Sequence, residues 1–251
     1  MLKALLFDVD GTLADTERDG HRVAFNLAFK DAGLDWDWTA SLYGDLLAVT
    51  GGKERIRYYL DQFNTEFSRP DNLAEFIAGL HAAKTDHYTE LLANGAIPLR
   101  PGVKRLILEA REAGMRLAVA TTTTPANVEA LVVNTLGVDA MSWFEVIAAG
   151  DIVPAKKPAP DIYTWAMDQM KLKPEACIAF EDSRNGILSS QAADLKTIIS
   201  INGYTTDDDF SGAVLVVDNW GEPDAPFTVI AGDNHDKQWL DLALVKALHS
   251  A

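Results

Sequence analysis

Asp8 and Asp10 stand one residue apart at the end of the apolar run Ala4, Leu5, Leu6, Phe7, and Gly11 and Thr12 follow at once. Carboxylates this close disfavour each other's ionisation unless a cation lies between them or one keeps its proton. Both arrangements serve an enzyme. A hard cation such as Mg2+ takes a side-chain oxygen of Asp8 and a nearby main-chain oxygen, leaving the other Asp8 oxygen to attack an electrophile. Asp10 can then give a proton to a leaving group and recover one from water. Gly11 lets the backbone turn sharply and approach a ligand. Alone, the tetrapeptide would serve equally well as a turn that ends a strand.

Three further clusters share that chemistry. Thr121 follows the apolar run Arg116 to Ala120, and Pro125 then opens a helix. The Thr121 hydroxyl and the Thr122 N–H could hold phosphoryl oxygens there, although four consecutive threonines could also do no more than cap the helix. Lys156 and Lys157 precede Pro158, and one ammonium reaching back would offset Asp8, Asp10 and a phosphate. Glu181 and Asp182 end the run Cys177 to Phe180, so that Asp8, Asp10 and Asp182, with waters and a substrate oxygen, would complete an octahedron around a divalent ion. Each cluster has a bland explanation of its own, and those explanations are independent. A phosphoryl-transfer site requires all four together.

Such residues meet only if their strands share one sheet edge. Short apolar runs alternating with helical stretches from Gly102 onward predict βαβ units: strands at 116–120, 146–149, 177–180, 197–200 and 214–217 join 4–7 in a doubly wound, mostly parallel Rossmann-like α/β sheet. Ligands of such sheets bind at the carboxyl ends of the strands. Residues 16–97 carry four helical patterns, near 16–32, 39–49, 53–63 and 73–93, and no convincing strand. They read as an inserted all-helical cap hinged near 14–16 and 97–101, which leaves 1–15 and 98–251 as the core domain with a tail from 218. A helix over 238–248 is expected to pack on that core, giving a monomer or weak dimer.

The chain has 251 residues, 48% hydrophobic and 24% charged, enough for a large core. No apolar run has the length of a membrane span, and the N-terminus lacks the pattern of a signal peptide, so a cytoplasmic protein is expected. The single cysteine, Cys177, excludes an internal disulfide and reads as a core residue. A net charge of -15 excludes nucleic acid and anionic membrane as partners, and any anion site must be built locally. The five histidines carry no evident function, and Trp36, Trp38 and Trp165 read as packing.

FDVDGTL, the threonine after the second core strand, KKPAPDIY and FEDSRNGI resemble, in order and spacing, the four signatures of the haloacid dehalogenase superfamily of aspartate-nucleophile phosphohydrolases. The cap resembles that of the subclass containing β-phosphoglucomutase and phosphoglycolate phosphatase. TGGKERI, LAVATTT, PANVEAL and VIAAGDIV are similar to the CbbY-type xylulose-1,5-bisphosphate phosphatases. The resemblance implies Asp8 as nucleophile, Asp10 as general acid/base and Mg2+ ligand through its main-chain carbonyl, and Asp182 as the completing metal carboxylate. It makes Glu181 an outer or alternative ligand, and Thr121 and Lys157 the phosphate binders. The substrate would be a small phosphorylated sugar, with a sugar phosphomutase and a non-enzymatic aspartyl-phosphate signalling protein as the alternatives. In the cap, Gly51 and Gly52 before Lys53 and Arg55 suit a second phosphate, and Glu17 and Tyr43 suit sugar hydroxyls.

Overall fold

A computed structural model describes all residues, 1–251. Ala4–Phe7 forms β1, fully buried, and Arg116–Ala120 (β2) and Cys177–Glu181 (β4) lie parallel on either side of it. The other strands are Phe144–Ala148 (β3), Lys196–Ser200 (β5), Leu215–Val217 (β6) and Val229–Gly232 (β7), in the sheet order β3-β2-β1-β4-β5-β6-β7. Six strands are parallel, as their spacing predicts. The seventh, β7, pairs antiparallel at the edge, and its short apolar run Val229 to Ala231 is largely exposed instead of buried.

Period-two alternation sends successive residues of β1 to opposite faces. Leu5 and Phe7 join one buried cluster together with α5 (Val103–Glu112) and α9 (Leu242–Ser250), whereas Ala4 and Leu6 join another beneath α7 (Asp161–Met170). The helix α6 (Pro125–Leu136) covers the first face, and α8 (Arg184–Ala192) starts directly after β4.

Between β1 and β2 lie a π-helical turn at Glu17–His21 and the helices α1 (Arg22–Asp31), α2 (Ala40–Leu46), α3 (Gly52–Gln62) and α4 (Leu73–Ala93). The first expected helix therefore begins as a π turn, which places His21 beside the site instead of in a regular helical register. These helices own a separate aromatic cluster in which Phe25, Phe29, Trp36, Trp38, Tyr43 and Tyr59 meet edge to face or tilted. Trp36 and Trp38 are packing residues, as expected. The last helix, α9, spans Leu242–Ser250; it starts four residues later than its amphipathic pattern predicts, because Asp241 caps it by accepting from Leu244 N, and ends two later. It packs on α5. No helix is long and apolar enough to cross a membrane.

Candidate active site

Phe7 pairs with Phe180 across the β1–β4 ladder, so Asp8 and Glu181 leave the sheet side by side. Oxygen atoms of Asp8, Glu181 and Asp182 all lie within 4.8 Å of one another, and all three residues are buried. Lys157 Nζ enters this cluster, 2.7 Å from Asp8 Oδ1 and 2.6 Å from Glu181 Oε1. Of the two neighbouring lysines only Lys157 faces inward; Lys156 pairs with Asp151 at 2.7 Å.

The local chain is shaped to this cluster. Gly11 has φ +85°, and a Cβ there would stand 2.1 Å from Asp182 Oδ2. A Cβ on Gly186 would meet Glu181 Oε2 at 2.0 Å, so only glycine admits the carboxylate. Asp182 accepts from Asn202 Nδ2 at 2.6 Å, and Glu181 accepts from the Tyr163 hydroxyl at 2.5 Å.

Burial pushes Asp8 up to about 7, against the pull of Lys157 and with a further push from Glu181. Burial, then Asp8 and Glu181, also hold Asp182 well above the usual carboxylate range. Burial alone would lower Lys157, but Asp8 and Glu181 outweigh it and hold the ammonium above its ordinary value. Three carboxylates facing one ammonium, with the buried Glu181 Oε2 lacking any partner, fit a divalent cation bound by oxygen.

Asp10 departs from the side-chain octahedron expected for it. Its carboxylate turns toward the cap, where Oδ1 accepts from Thr16 Oγ1 at 2.6 Å and faces His21 Nε2 at 2.7 Å. On the other side of that ring, Lys84 Nζ lies 2.7 Å from Nδ1. An ammonium only donates, so Nδ1 accepts and Nε2 carries the hydrogen given to Asp10. Burial opposes the charge of Asp10, but His21, Thr16 and Lys84 prevail and hold the carboxyl well below its usual range. Burial lowers Lys84 to about 8. His21, which carries no evident function in the sequence, thus stands between Asp10 and Lys84. Its signal in the sequence was weak: a single histidine within a polar stretch, with its partner sixty-three residues away.

A cavity of about 600 Å3 opens above these groups, lined by Asp8, Asp10, Glu17, Arg55, Thr121, Thr122, Lys157, Glu181 and Asp182. Arg184 and Asn202 also line it, unforeseen, although Arg184 sits inside the FEDSRNGI motif. Thr124, not Thr121, caps α6 by accepting from Asn127 N, which leaves Thr121 and Thr122 on the cavity wall. A smaller chamber of about 40 Å3 adjoins it, lined by Gly51, Gly52, Arg55, Lys84, His81 and Thr122 among others.

Two cap assignments change. Lys53 and Arg55, two positions apart on α3, point to opposite sides of the helix. Arg55 is buried against both cavities, while Lys53 leaves them and pairs with Asp151 of the core at 2.5 Å. Tyr43 is buried in the cap cluster, donating its hydroxyl to Glu17 at 2.5 Å and accepting from Arg55 Nη1 at 2.6 Å. It orients Glu17 and Arg55, and its own hydroxyl is spent on them.

Comparisons with known proteins are consistent with this geometry. The family model described as haloacid dehalogenase-like hydrolase matches residues 2–194. Protein CbbY of Cupriavidus necator, encoded on a plasmid, is 45% identical over 249 residues, 99% of this chain and 97% of that protein. Protein CbbY of Rhodobacter capsulatus is 50% identical over 223 residues, 89% of this chain and 93% of that protein. The crystal structure of a CbbY mutant from Rhodobacter sphaeroides in complex with xylulose-(1,5)bisphosphate is 47% identical, covers 87% of this chain and 95% of its own, and superposes with a TM-score of 0.81.

Proposed function

The chain belongs to the haloacid dehalogenase-like hydrolases and is a phosphatase of sugar phosphates, and from that premise we propose that its substrate is a sugar bisphosphate, xylulose-1,5-bisphosphate in the first instance. The observation that carries the reading is the convergence of Asp8, Glu181, Asp182 and Lys157 beneath the cavity. Membership of a hydrolase family removes the signalling alternative.

In the proposed mechanism an oxygen of Asp8 attacks phosphorus, the bond to the sugar oxygen breaks with its electron pair, and an aspartyl-phosphate forms on Asp8. Lys157, Thr121 and the Thr122 N–H hold the equatorial oxygens. The departing alkoxide takes a proton relayed from Lys84 through His21 to Asp10, a line of hydrogen bonds that leaves the Asp10 carboxylate ionised and ready to act as base. Asp10 then removes a proton from water as that water attacks the aspartyl-phosphate. Asp8, Asp182 and the Asp10 main-chain carbonyl, backed by Glu181, would hold Mg2+, which when bound neutralises charge on the transferring phosphoryl group.

Arg55 supports the second phosphate. It is buried on both cavities, and its Nε–H has no partner. Glu17, positioned by Tyr43 and Arg55, is suited to accept from a sugar hydroxyl. The test is release of inorganic phosphate from xylulose-1,5-bisphosphate with Mg2+. Wild-type protein should release one phosphate per substrate, and Asp8→Asn should release none. Turnover surviving that substitution, or conversion of glucose 1-phosphate to glucose 6-phosphate without phosphate release, would overturn the reading.

A further inference from the structure

Arg100 lies at the second linker between cap and core, 7% exposed, outside the cavity lining and outside every signature motif in the chain. Its guanidinium has five N–H groups in a planar fork, and its two terminal nitrogens meet four main-chain carbonyls. Nη1 donates to the carbonyl of Gly11 and, at 3.0 Å, to that of Ser200. Nη2 donates to the carbonyl of Ile201 and, at 2.7 Å, to that of Asp218. Nε stands 3.3 Å from Asp15 Oδ1. The Arg100 N–H also donates to Leu13 O at 2.9 Å, and Leu99 bridges Ala14, so the two linkers cross at this residue.

The acceptors are not scattered. Gly11 follows Asp10 directly, and its backbone passes against Asp182. Ile201 precedes Asn202, whose amide donates to Asp182 Oδ2 at 2.6 Å. Asp15 adjoins Thr16, whose hydroxyl donates to Asp10. One side chain thus fixes the segments that hold Asp182 from two sides and the linker that orients Asp10. We propose that Arg100 is a positioning residue that sets Asp182 and the Asp10 loop in place for the divalent ion by tying both to the crossing of the cap linkers. The proposal rests on the reading of Asp8 and Asp182 as the carboxylates that hold this ion. Lysine cannot replace the arginine, since three donors on one nitrogen cannot meet five acceptors spread around a fork.

The test is calorimetric titration of substrate-free protein with Mg2+ for wild type, Arg100→Lys, Asn202→Ala and the double variant, with thermal melts alongside. Loss of an outer partner of a metal carboxylate weakens binding about tenfold or more. Folded Arg100→Lys should therefore bind Mg2+ about tenfold more weakly, Asn202→Ala should fall in the same direction, and the double variant should be no weaker than the worse single one, because both act along one path. A merely structural arginine would lower the melting temperature and leave the Mg2+ affinity of the folded protein alone. Affinity within about twofold of wild type in Arg100→Lys, or additive losses in the double variant, would overturn the proposal. Should Arg100→Lys fail to fold, unchanged Mg2+ affinity in Asn202→Ala overturns it equally. Because no substrate is present, failure of wild type to hydrolyse a sugar bisphosphate would sink the substrate reading while a weakened Arg100→Lys still supported this one.

Discussion

At the scale of single residues, Asp8 and Asp10 differ by environment although they differ little in sequence. Asp8 is buried among carboxylates and holds its proton up to about 7, whereas Asp10 is kept ionised by His21, Thr16 and Lys84. A carboxyl must ionise to bind a cation, so Mg2+ binding expels the Asp8 proton when that proton is present. Titrations in buffers of different ionisation enthalpy should show net proton release on Mg2+ binding near pH 6, to which the raised Asp182 carboxyl adds. The unfolded Asp8 carboxyl titrates near 3.8 and the folded one near 7, so the folded state binds the proton more tightly. The stabilisation this group gives the metal-free protein is full below about pH 4 and is lost as pH rises through about 7. His21→Ala should lower kcat by about a hundredfold, the usual size of a general acid–base contribution, with a smaller change in KM. An equal loss through KM alone would assign His21 to binding instead of proton supply.

At the scale of elements, the strand ends build the site and the cap linkers and helices aim what faces it. Lys53 on α3 and Asp151 after β3 clasp cap to core, helped by Asn185 Nδ2 donating to Thr50 Oγ1 at 3.0 Å. The Lys53 and Asp151 side chains are about half exposed, so the pair contributes little to stability, on the order of 0.5 kcal/mol. Asp151→Asn should therefore leave the melting temperature nearly unchanged while raising KM at low salt. A large fall in melting temperature would show instead that the loop after β3 depends on Asp151 for its own folding. The turn from β1 is far less tolerant. Gly11→Ala places a Cβ on Asp182 and forces a positive φ on an L residue, at a cost of about 1–3 kcal/mol. Thermal melts should show that loss together with weakened Mg2+ binding.

At the scale of the whole molecule, a chain of net charge -15 must attract a phosphorylated sugar into a few buried cations. Long-range repulsion opposes the encounter, and salt screens it beyond about 10 Å at 0.1 M. At saturating Mg2+, kcat/KM for a bisphosphate should rise modestly with ionic strength. A steep fall would mean that the local field of Arg55, Lys157 and Arg184 reaches further than the net charge. Under the proposed metal site, Mg2+ should stabilise the folded chain by about 2.7 kcal/mol at a hundredfold excess over Kd and so raise its melting temperature.

The parallel sheet, the helical insertion, the residues Asp8, Thr121, Glu181 and Asp182 at strand ends and Lys157 in the loop before α7 could all be read from the chain, because buried strands and the turns that follow them are local patterns. The edge strand β7 could not, since the three apolar residues Val229 to Ala231 before Gly232 make too short a run to mark a strand. Nor could the direction of Asp10 toward His21 and Lys84, the division of Lys53 from Arg55, or the five acceptors gathered on Arg100. Local composition determines which elements form and which chemical groups they carry. Which of those groups face one another depends on contacts between residues tens to more than a hundred positions apart, and such pairings exist only once the sheet has closed and the cap has packed against it.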